Sequence, residues 1–182
     1  MILLTFVVFA AFFFLLPNSD QEPGQPNRFK LAIECLVFPA LFFLILIIRI
    51  GSERFGNPAE DPTTVLASSH AMDVDLRVLA NTHEQLIVFI VNTMALAVLL
   101  PFAYLKLLPI YSGTFVFGRL LFWVGYRHHV LLRAPGFALN IFPALAGLIY
   151  SSIALLRFPT SDWCDLLLLH FDVDILACRA KG

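Results

Sequence analysis

The chain has 182 residues, of which 59% are hydrophobic and only 14% are charged, and 19 of them are phenylalanine. Soluble domains carry about a quarter charged residues, so this composition indicates an integral membrane protein. The net charge of −1 supplies no basic field for binding nucleic acid, and the cysteine spacing fits neither a zinc site nor a disulfide framework.

Five hydrophobic segments are candidate membrane spans, since a spanning helix needs about 20 apolar residues. The first, residues 2–16, is either a retained span or a signal peptide; the missing basic n-region and cleavage site favour a retained span. A polar loop follows at 17–27. The other four spans are predicted at 29–50, 76–100, 109–132 and 137–156.

The spans divide the chain into three regions. Residues 1–28 form an N-terminal span and loop, 29–158 a transmembrane domain, and 159–182 a tail whose role is open. A tight turn at 101–109 makes the third and fourth spans an antiparallel hairpin. The expected fold class is therefore an all-α integral membrane bundle.

The third and fourth spans each carry polar residues on one helical face. Arg77, Asn81 and Glu84 are spaced i, i+4, i+7, which places them on the same side of a helix. In the fourth span, arginine or tyrosine recurs every seven residues at 119, 126 and 133. Gly118 and Gly125 recur beside them, as close helix packing in a bilayer requires.

The hairpin predicts that both polar faces lie at one depth. Glu84 is 17 residues from Pro101, and Tyr126 is 17 residues from Pro109, which places both about 25 Å from the turn. Charges inside a membrane are costly and normally face the bundle interior or a cavity. This end of the bundle is therefore the candidate binding site.

Each of these residues also has a structural explanation. The arginines at the helix ends, Arg49, Arg77 and Arg133, could be interfacial anchors. Asn81 and Glu84 could stabilise a helix N-terminus, and the tyrosine could belong to an aromatic belt. The shared face and depth favour a common site.

The motifs R-x-x-x-N-x-x-E at 77–84 and G-R…G-Y-x6-R-x-P at 118–135 resemble those of the MAPEG family, the membrane proteins of eicosanoid and glutathione metabolism. The resemblance covers about residues 30–156. It implies a four-helix unit that assembles as a homotrimer, with glutathione bound between subunits near the cytosolic end. The additional N-terminal span is similar to the mattrin-like five-span branch of the family.

The resemblance also assigns roles to residues. The implied binding residues are Arg49, Arg77, Asn81, Glu84 and Tyr126, and the implied catalytic residue is Arg133. Guanidinium groups suit the two carboxylates of glutathione, a glutamate suits its ammonium, and a cation beside the thiol favours the nucleophilic thiolate.

Two departures from the family pattern leave the activity open. Phe122 stands where members often have tyrosine or histidine, and Ala80 where some have a second arginine. The resemblance implies a transferase or peroxidase that conjugates or reduces lipophilic electrophiles. The alternative is a non-catalytic mattrin-like protein of secretory-vesicle trafficking or barrier function. Either is expected in membranes of the endoplasmic reticulum, Golgi or secretory pathway.

Overall fold

The computed structural model describes residues 25–56 and 69–157, together with the isolated positions 7 and 11. The candidate first span and the tail thus lie almost wholly outside the described residues. The described part forms four long helices, α1 (Gln25–Gly56), α2 (His70–Leu99), α3 (Leu107–His128) and α4 (Ala134–Arg157). All four are long and apolar enough to cross a membrane, which confirms the predicted all-α, multi-pass membrane bundle.

The turn between α2 and α3 gathers one end of every helix, here called the hairpin end. Arg28, near the start of α1, donates from Nη1 to the Leu100 carbonyl at 2.8 Å. Tyr150, late in α4, donates from its hydroxyl to the Leu99 carbonyl at 3.3 Å. Both bonds satisfy carbonyls that a helix C-terminus leaves unpaired. The opposite end, where α1 and α3 finish and α2 and α4 begin, is called the polar end.

Helix α2 begins at His70, six residues before the predicted start of the third span at 76. Ser69 caps it, because its Oγ accepts from the backbone N–H of Met72 at 3.2 Å. The first turns carry Asp73 and Asp75, which a hydropathy window excludes. The helix therefore brings into the bundle the carboxylate of Asp75, which the hydropathy pattern assigns to the preceding loop.

Helix α3 ends at His128, short of the predicted 132. His129 is extended at φ −161° and ψ 139°, and its Nδ1 accepts from the backbone N–H of Leu131 at 3.2 Å. A 3-10 turn, Val130–Arg133, then leads directly into α4. The prediction that Arg133 continues the polar face of the same helix is wrong, because the backbone leaves the helix four residues earlier.

Helices α3 and α4 approach closely at two glycines. A Cβ on Gly136 would meet the backbone of Phe122 and Gly118, and a Cβ on Gly118 would lie 2.7 Å from the Asn140 side chain. Lipid gives no hydrophobic drive for helices to associate, so backbone contact of this kind stabilises a membrane bundle. The predicted close packing at Gly118 thus occurs within one chain.

A proline in α1 is accommodated by a neighbouring helix. Pro39 has no N–H to donate to the carbonyl of Cys35, four residues earlier. Ser112 of α3 donates its hydroxyl to that carbonyl, and Ser112 is 3% exposed. An unpaired carbonyl in hydrocarbon is costly, so this contact satisfies the carbonyl that Pro39 leaves free and adds one link between α1 and α3.

The α3–α4 contact leads to a prediction about stability. Gly136→Ala should lower the melting temperature in nanodiscs, because overpacking typically costs about 1–3 kcal/mol. Gly113→Ala is the matched control, since no atom lies within 4 Å of its added Cβ and alanine favours helix. Equal melting temperatures for the two variants would contradict the close approach at Gly136.

Candidate functional site

A buried carboxylate joins three helices at the polar end. Asp75 of α2, with its side chain 4% exposed, accepts from Arg49 Nε of α1 at 2.9 Å and from Arg127 Nη2 of α3 at 2.7 Å. Trp123 Nε1 donates to the same carboxylate at 2.8 Å. These four residues are called the Asp75 cluster. It fixes the ends of α1, α2 and α3 relative to one another.

The Asp75 cluster holds more positive than negative charge. Its two guanidinium groups lie 5.7 and 5.3 Å from the ring centroid of Trp123, which adds cation–π attraction. Arg49 also lies 3.6 Å from Glu53, a more exposed partner. The structure therefore gives Arg49, predicted as a ligand-binding residue, a structural set of contacts.

A second cluster surrounds a buried arginine deeper in the bundle. Arg119 of α3 is 0% exposed. Its Nη1 donates to Asn81 Oδ1 at 2.8 Å, and its Nη2 donates to Gln85 Oε1 at 3.0 Å. With its amide assigned so that the oxygen faces the guanidinium, as the neighbouring donors require, Asn140 accepts from Nε at 2.6 Å and from Nη2 at 2.9 Å. These four residues are called the Arg119 cluster.

The depth and the partners of Arg119 are unusual for a charge. It lies nine residues before the end of α3, or about 14 Å into the helix. Within residues 25–56 and 69–157, no carboxylate pairs with it; three neutral amides and the rings of Phe115 and Phe122 surround it instead. An intramembrane charge held in this way marks a functional site by default.

Tyr126 and Arg133 meet in spite of the early end of α3. The Arg133 guanidinium lies 4.8 Å from the ring centroid of Tyr126, because the 3-10 turn folds back over the helix. Phe122 packs edge-on against Tyr126, with ring centroids 5.8 Å apart. Tyr126 and Arg133 thus form one half-buried pair at the polar end. Their neighbour Phe122 offers no hydroxyl or imidazole at the position where the family often has tyrosine or histidine.

The remaining predicted residues lie on the outer side of α2. Arg77 and Glu84 are exposed, and neither forms a hydrogen bond or ion pair with the residues that the structure describes. Asn81, between them, faces inward to Arg119. The structure therefore brings Asn81 to the buried arginine and Tyr126 to Arg133, while Arg77 and Glu84 form no hydrogen bond or ion pair with another candidate residue of the same chain.

Sequence reasoning missed the central residues of both clusters as site members. The residue spacing places Arg119 on the polar face of its span but assigns it no role, although an arginine deep in a span is itself a signal of function. Asp75 lay just outside the predicted span, and Ser69 followed by acidic residues is the start signal that extends the helix over it. Gln85 and Asn140 carry no comparable signal in the sequence.

Comparison with known proteins adds three similarities. The model of the MAPEG family matches residues 31–153. Transmembrane protein 79 of Mus musculus is 24% identical over 153 residues, covering 80% of this chain and 37% of that protein. Transmembrane protein 79 of Bos taurus is 23% identical over 159 residues, covering 83% of this chain and 38% of that protein. The chain thus spans less than two-fifths of the length of these relatives.

The Asp75 cluster predicts unequal effects of removing its charges. Asp75→Asn should destabilise the bundle by about 1.5–3 kcal/mol, the contribution of a hydrogen bond to a charged group, because it leaves two partly exposed arginines without their shared carboxylate. Glu53→Gln removes the exposed partner of Arg49 and should cost at most about 1 kcal/mol. Thermal unfolding of both variants in nanodiscs measures the difference, and similar losses would show that Asp75 does not hold the helices together.

Proposed function

The chain belongs to the MAPEG family, and on that basis we propose that it binds glutathione at the polar end, between neighbouring subunits of a homotrimer. The observation that carries the proposal is the Arg119 cluster. A cation with no carboxylate partner among the described residues favours an anionic ligand nearby, and charge acts strongly in a low-dielectric interior.

Arg119 also orients a group that can touch the ligand. Asn81 is half-buried and uses Oδ1 to accept from the guanidinium, which fixes its amide and leaves Nδ2 as a donor. A ligand carboxylate is a matching acceptor. Arg119 therefore acts as a positioning residue, since it is fully buried itself, and Asn81 is the binding residue.

The outer side of α2 supplies the charges that suit the rest of the ligand. Arg77 lies one turn before Asn81 and Glu84 one turn after it, both exposed. A guanidinium complements a carboxylate and a carboxylate complements an ammonium. Because these two side chains face away from their own bundle, a site that includes them and the Tyr126–Arg133 pair is completed by a second copy of the chain, in a closed ring.

The Tyr126–Arg133 pair supports chemistry on the bound thiol. A guanidinium beside a thiol favours the thiolate, which is the nucleophile. In transfer, the thiolate sulfur bonds to the electrophilic carbon of a lipophilic substrate from the bilayer, such as an epoxide, whose C–O bond breaks and whose oxygen takes up a proton. In peroxide reduction, the thiolate sulfur attacks a peroxide oxygen and the O–O bond breaks to release an alcohol; a second glutathione thiol then displaces the bound oxygen as water and forms the disulfide. The proposed activity is thus glutathione transfer or peroxide reduction in membranes of the endoplasmic reticulum or secretory pathway.

A non-catalytic role is the second candidate, and Phe122 favours it. Its ring is 4% exposed and packs where the family often places a hydroxyl or imidazole, so one hydrogen-bond donor is missing beside Tyr126. Similarity to Transmembrane protein 79, known as mattrin, agrees with this alternative. In that case the same fold serves vesicle trafficking or barrier function, with or without a bound peptide.

Ligand binding is tested by thermal stability with glutathione and with its analogue in which serine replaces cysteine. Ligand at 100 times Kd should stabilise the wild type by about 2.7 kcal/mol, and both ligands should act similarly. Arg77→Ala and Glu84→Gln should weaken affinity by roughly tenfold or more, since a hydrogen bond to a charged group contributes about 1.5–3 kcal/mol.

Arg54→Ala is the matched control for the loss of charge. Arg54 is exposed in the last turn of α1 at the polar end, so its removal lowers the local positive charge without touching α2. It should leave affinity unchanged. A wild type that neither ligand stabilises, or an equal loss in the Arg54 variant, would contradict a specific site on α2.

Turnover separates the enzyme from the non-catalytic alternative. Arg133→Ala should lower the rate of conjugation to a small electrophile far more than it lowers glutathione affinity, because thiolate stabilisation acts on the reactive form. Arg77→Ala should weaken affinity with less effect on the saturated rate. Undetectable turnover in the wild type and both variants, with glutathione still bound, would establish the non-catalytic role.

A further inference from the structure

We infer that a cavity at the hairpin end binds a membrane sterol. The cavity has a volume of about 460 Å³ and lies between the end of α2, the turn, the start of α3 and the second half of α4. That volume falls in the range of small-molecule sites, about 300–1,000 Å³. None of the residues of the proposed glutathione site lines it.

The wall formed by α4 suits a flat, rigid ligand. Of the five α4 residues that line the cavity, Pro143, Ala146 and Gly147 present little or no side chain beyond Cβ or a ring, and Phe142 and Tyr150 present flat aromatic rings. A fused-ring plate packs against such a surface without losing internal freedom, whereas a flexible acyl chain must give up conformational entropy to be held there. The shape and rigidity of this wall therefore favour a sterol over a lipid tail.

The wall is also held in place before any ligand arrives. Asn92 of α2 donates from Nδ2 to the Tyr111 hydroxyl at 3.3 Å and to the Ala144 carbonyl at 3.2 Å. Its amide lies directly behind Gly147, where an added Cβ would approach it to 2.5 Å. Asn92 thus ties α2 to α3 and α4 around the cavity, and a preformed site reduces the free-energy cost of binding.

Two exposed tyrosines line the cavity near the level at which α2 ends. Tyr150 is 39% exposed and Tyr104, on the turn, is 49% exposed. Tyrosines at this level sit among lipid headgroups, with the ring in the apolar layer and the hydroxyl outside it. A sterol has the same polarity, an apolar plate with one hydroxyl, so its hydroxyl meets these groups while its rings enter the cavity.

The sequence at the turn fits a pattern proposed for sterol contact, L/V-x1–5-Y-x1–5-K/R. Of the four tyrosines in the chain, only Tyr104 satisfies it, with Leu100 before it and Lys106 after it. The pattern is short and recurs by chance in many proteins. Its weight here comes from the fold, because Leu100 and Tyr104 both line the cavity.

Photolabelling of the full chain in nanodiscs tests the inference. A sterol bearing a diazirine should label the ranges 96–111 and 142–150, and excess unlabelled cholesterol should remove the label. Ala146→Phe fills the cavity and should lower labelling about tenfold, equivalent to roughly 1.4 kcal/mol of binding free energy. Ala40→Phe, the same change at an exposed position of α1, should not alter labelling.

Each other outcome overturns the inference. Label on other helices, label that cholesterol does not compete, or an equal fall in both variants would remove the sterol site. A diazirine fatty acid that labels the same ranges and displaces the sterol would identify an acyl chain as the occupant instead. The positions labelled in the wild type decide between these outcomes, so the test does not depend on whether either variant folds. Glutathione binding at the polar end is a separate measurement, and the labelling result does not bear on it.

Discussion

The bundle depends on how it solvates one positive charge inside the membrane. The Arg119 guanidinium is held by amide oxygens from α2 and α4 and by rings of its own helix. Removing these partners would leave a charge in hydrocarbon, which no helix arrangement tolerates cheaply. Neighbouring helices are therefore locked in the one register that brings three amides to the same point. Asn81 gains a fixed orientation as a result, which links the packing of the bundle to its proposed ligand.

The two ends of the bundle differ in chemistry although the same helices build both. At the polar end, Arg49 and Arg127 pair with Asp75 and Glu53, whereas Arg77 and Arg133 form no ion pair within the described residues, and their charge suits an anionic peptide. At the hairpin end, Arg28 and Tyr150 donate hydrogen bonds to the last carbonyls of α2. The cavity beside them is lined by apolar side chains. A water-soluble thiol and a lipid-soluble molecule would thus meet the protein at opposite membrane surfaces. A lipophilic substrate has to reach the polar end by another route than this cavity.

Hydropathy and residue spacing predicted the helices that are described, the hairpin and the end at which polar groups gather. They did so because a spanning helix must be long and apolar and because charges avoid lipid. They failed where local backbone chemistry decides, as at His129, whose extended conformation ends α3 before Arg133. They failed also for Gln85 and Asn140, since a neutral amide becomes a charge partner only through contacts between distant helices. The roles of Arg77, Asn81, Glu84, Tyr126 and Arg133 in binding or catalysis stay predictions.

The contact between Ser112 and the Cys35 carbonyl has a consequence for judging natural variants of this chain. A scale of side-chain hydrophobicity scores serine to alanine inside a membrane helix as an improvement, because it removes a hydroxyl. Here that hydroxyl compensates for a proline on another helix. The same exchange would expose a bare carbonyl to the interior of the bundle and loosen α1 at mid-length. Ser112→Ala, which a hydrophobicity scale scores as favourable, would therefore destabilise the bundle. Pro39 and Ser112 would be expected to change together or not at all.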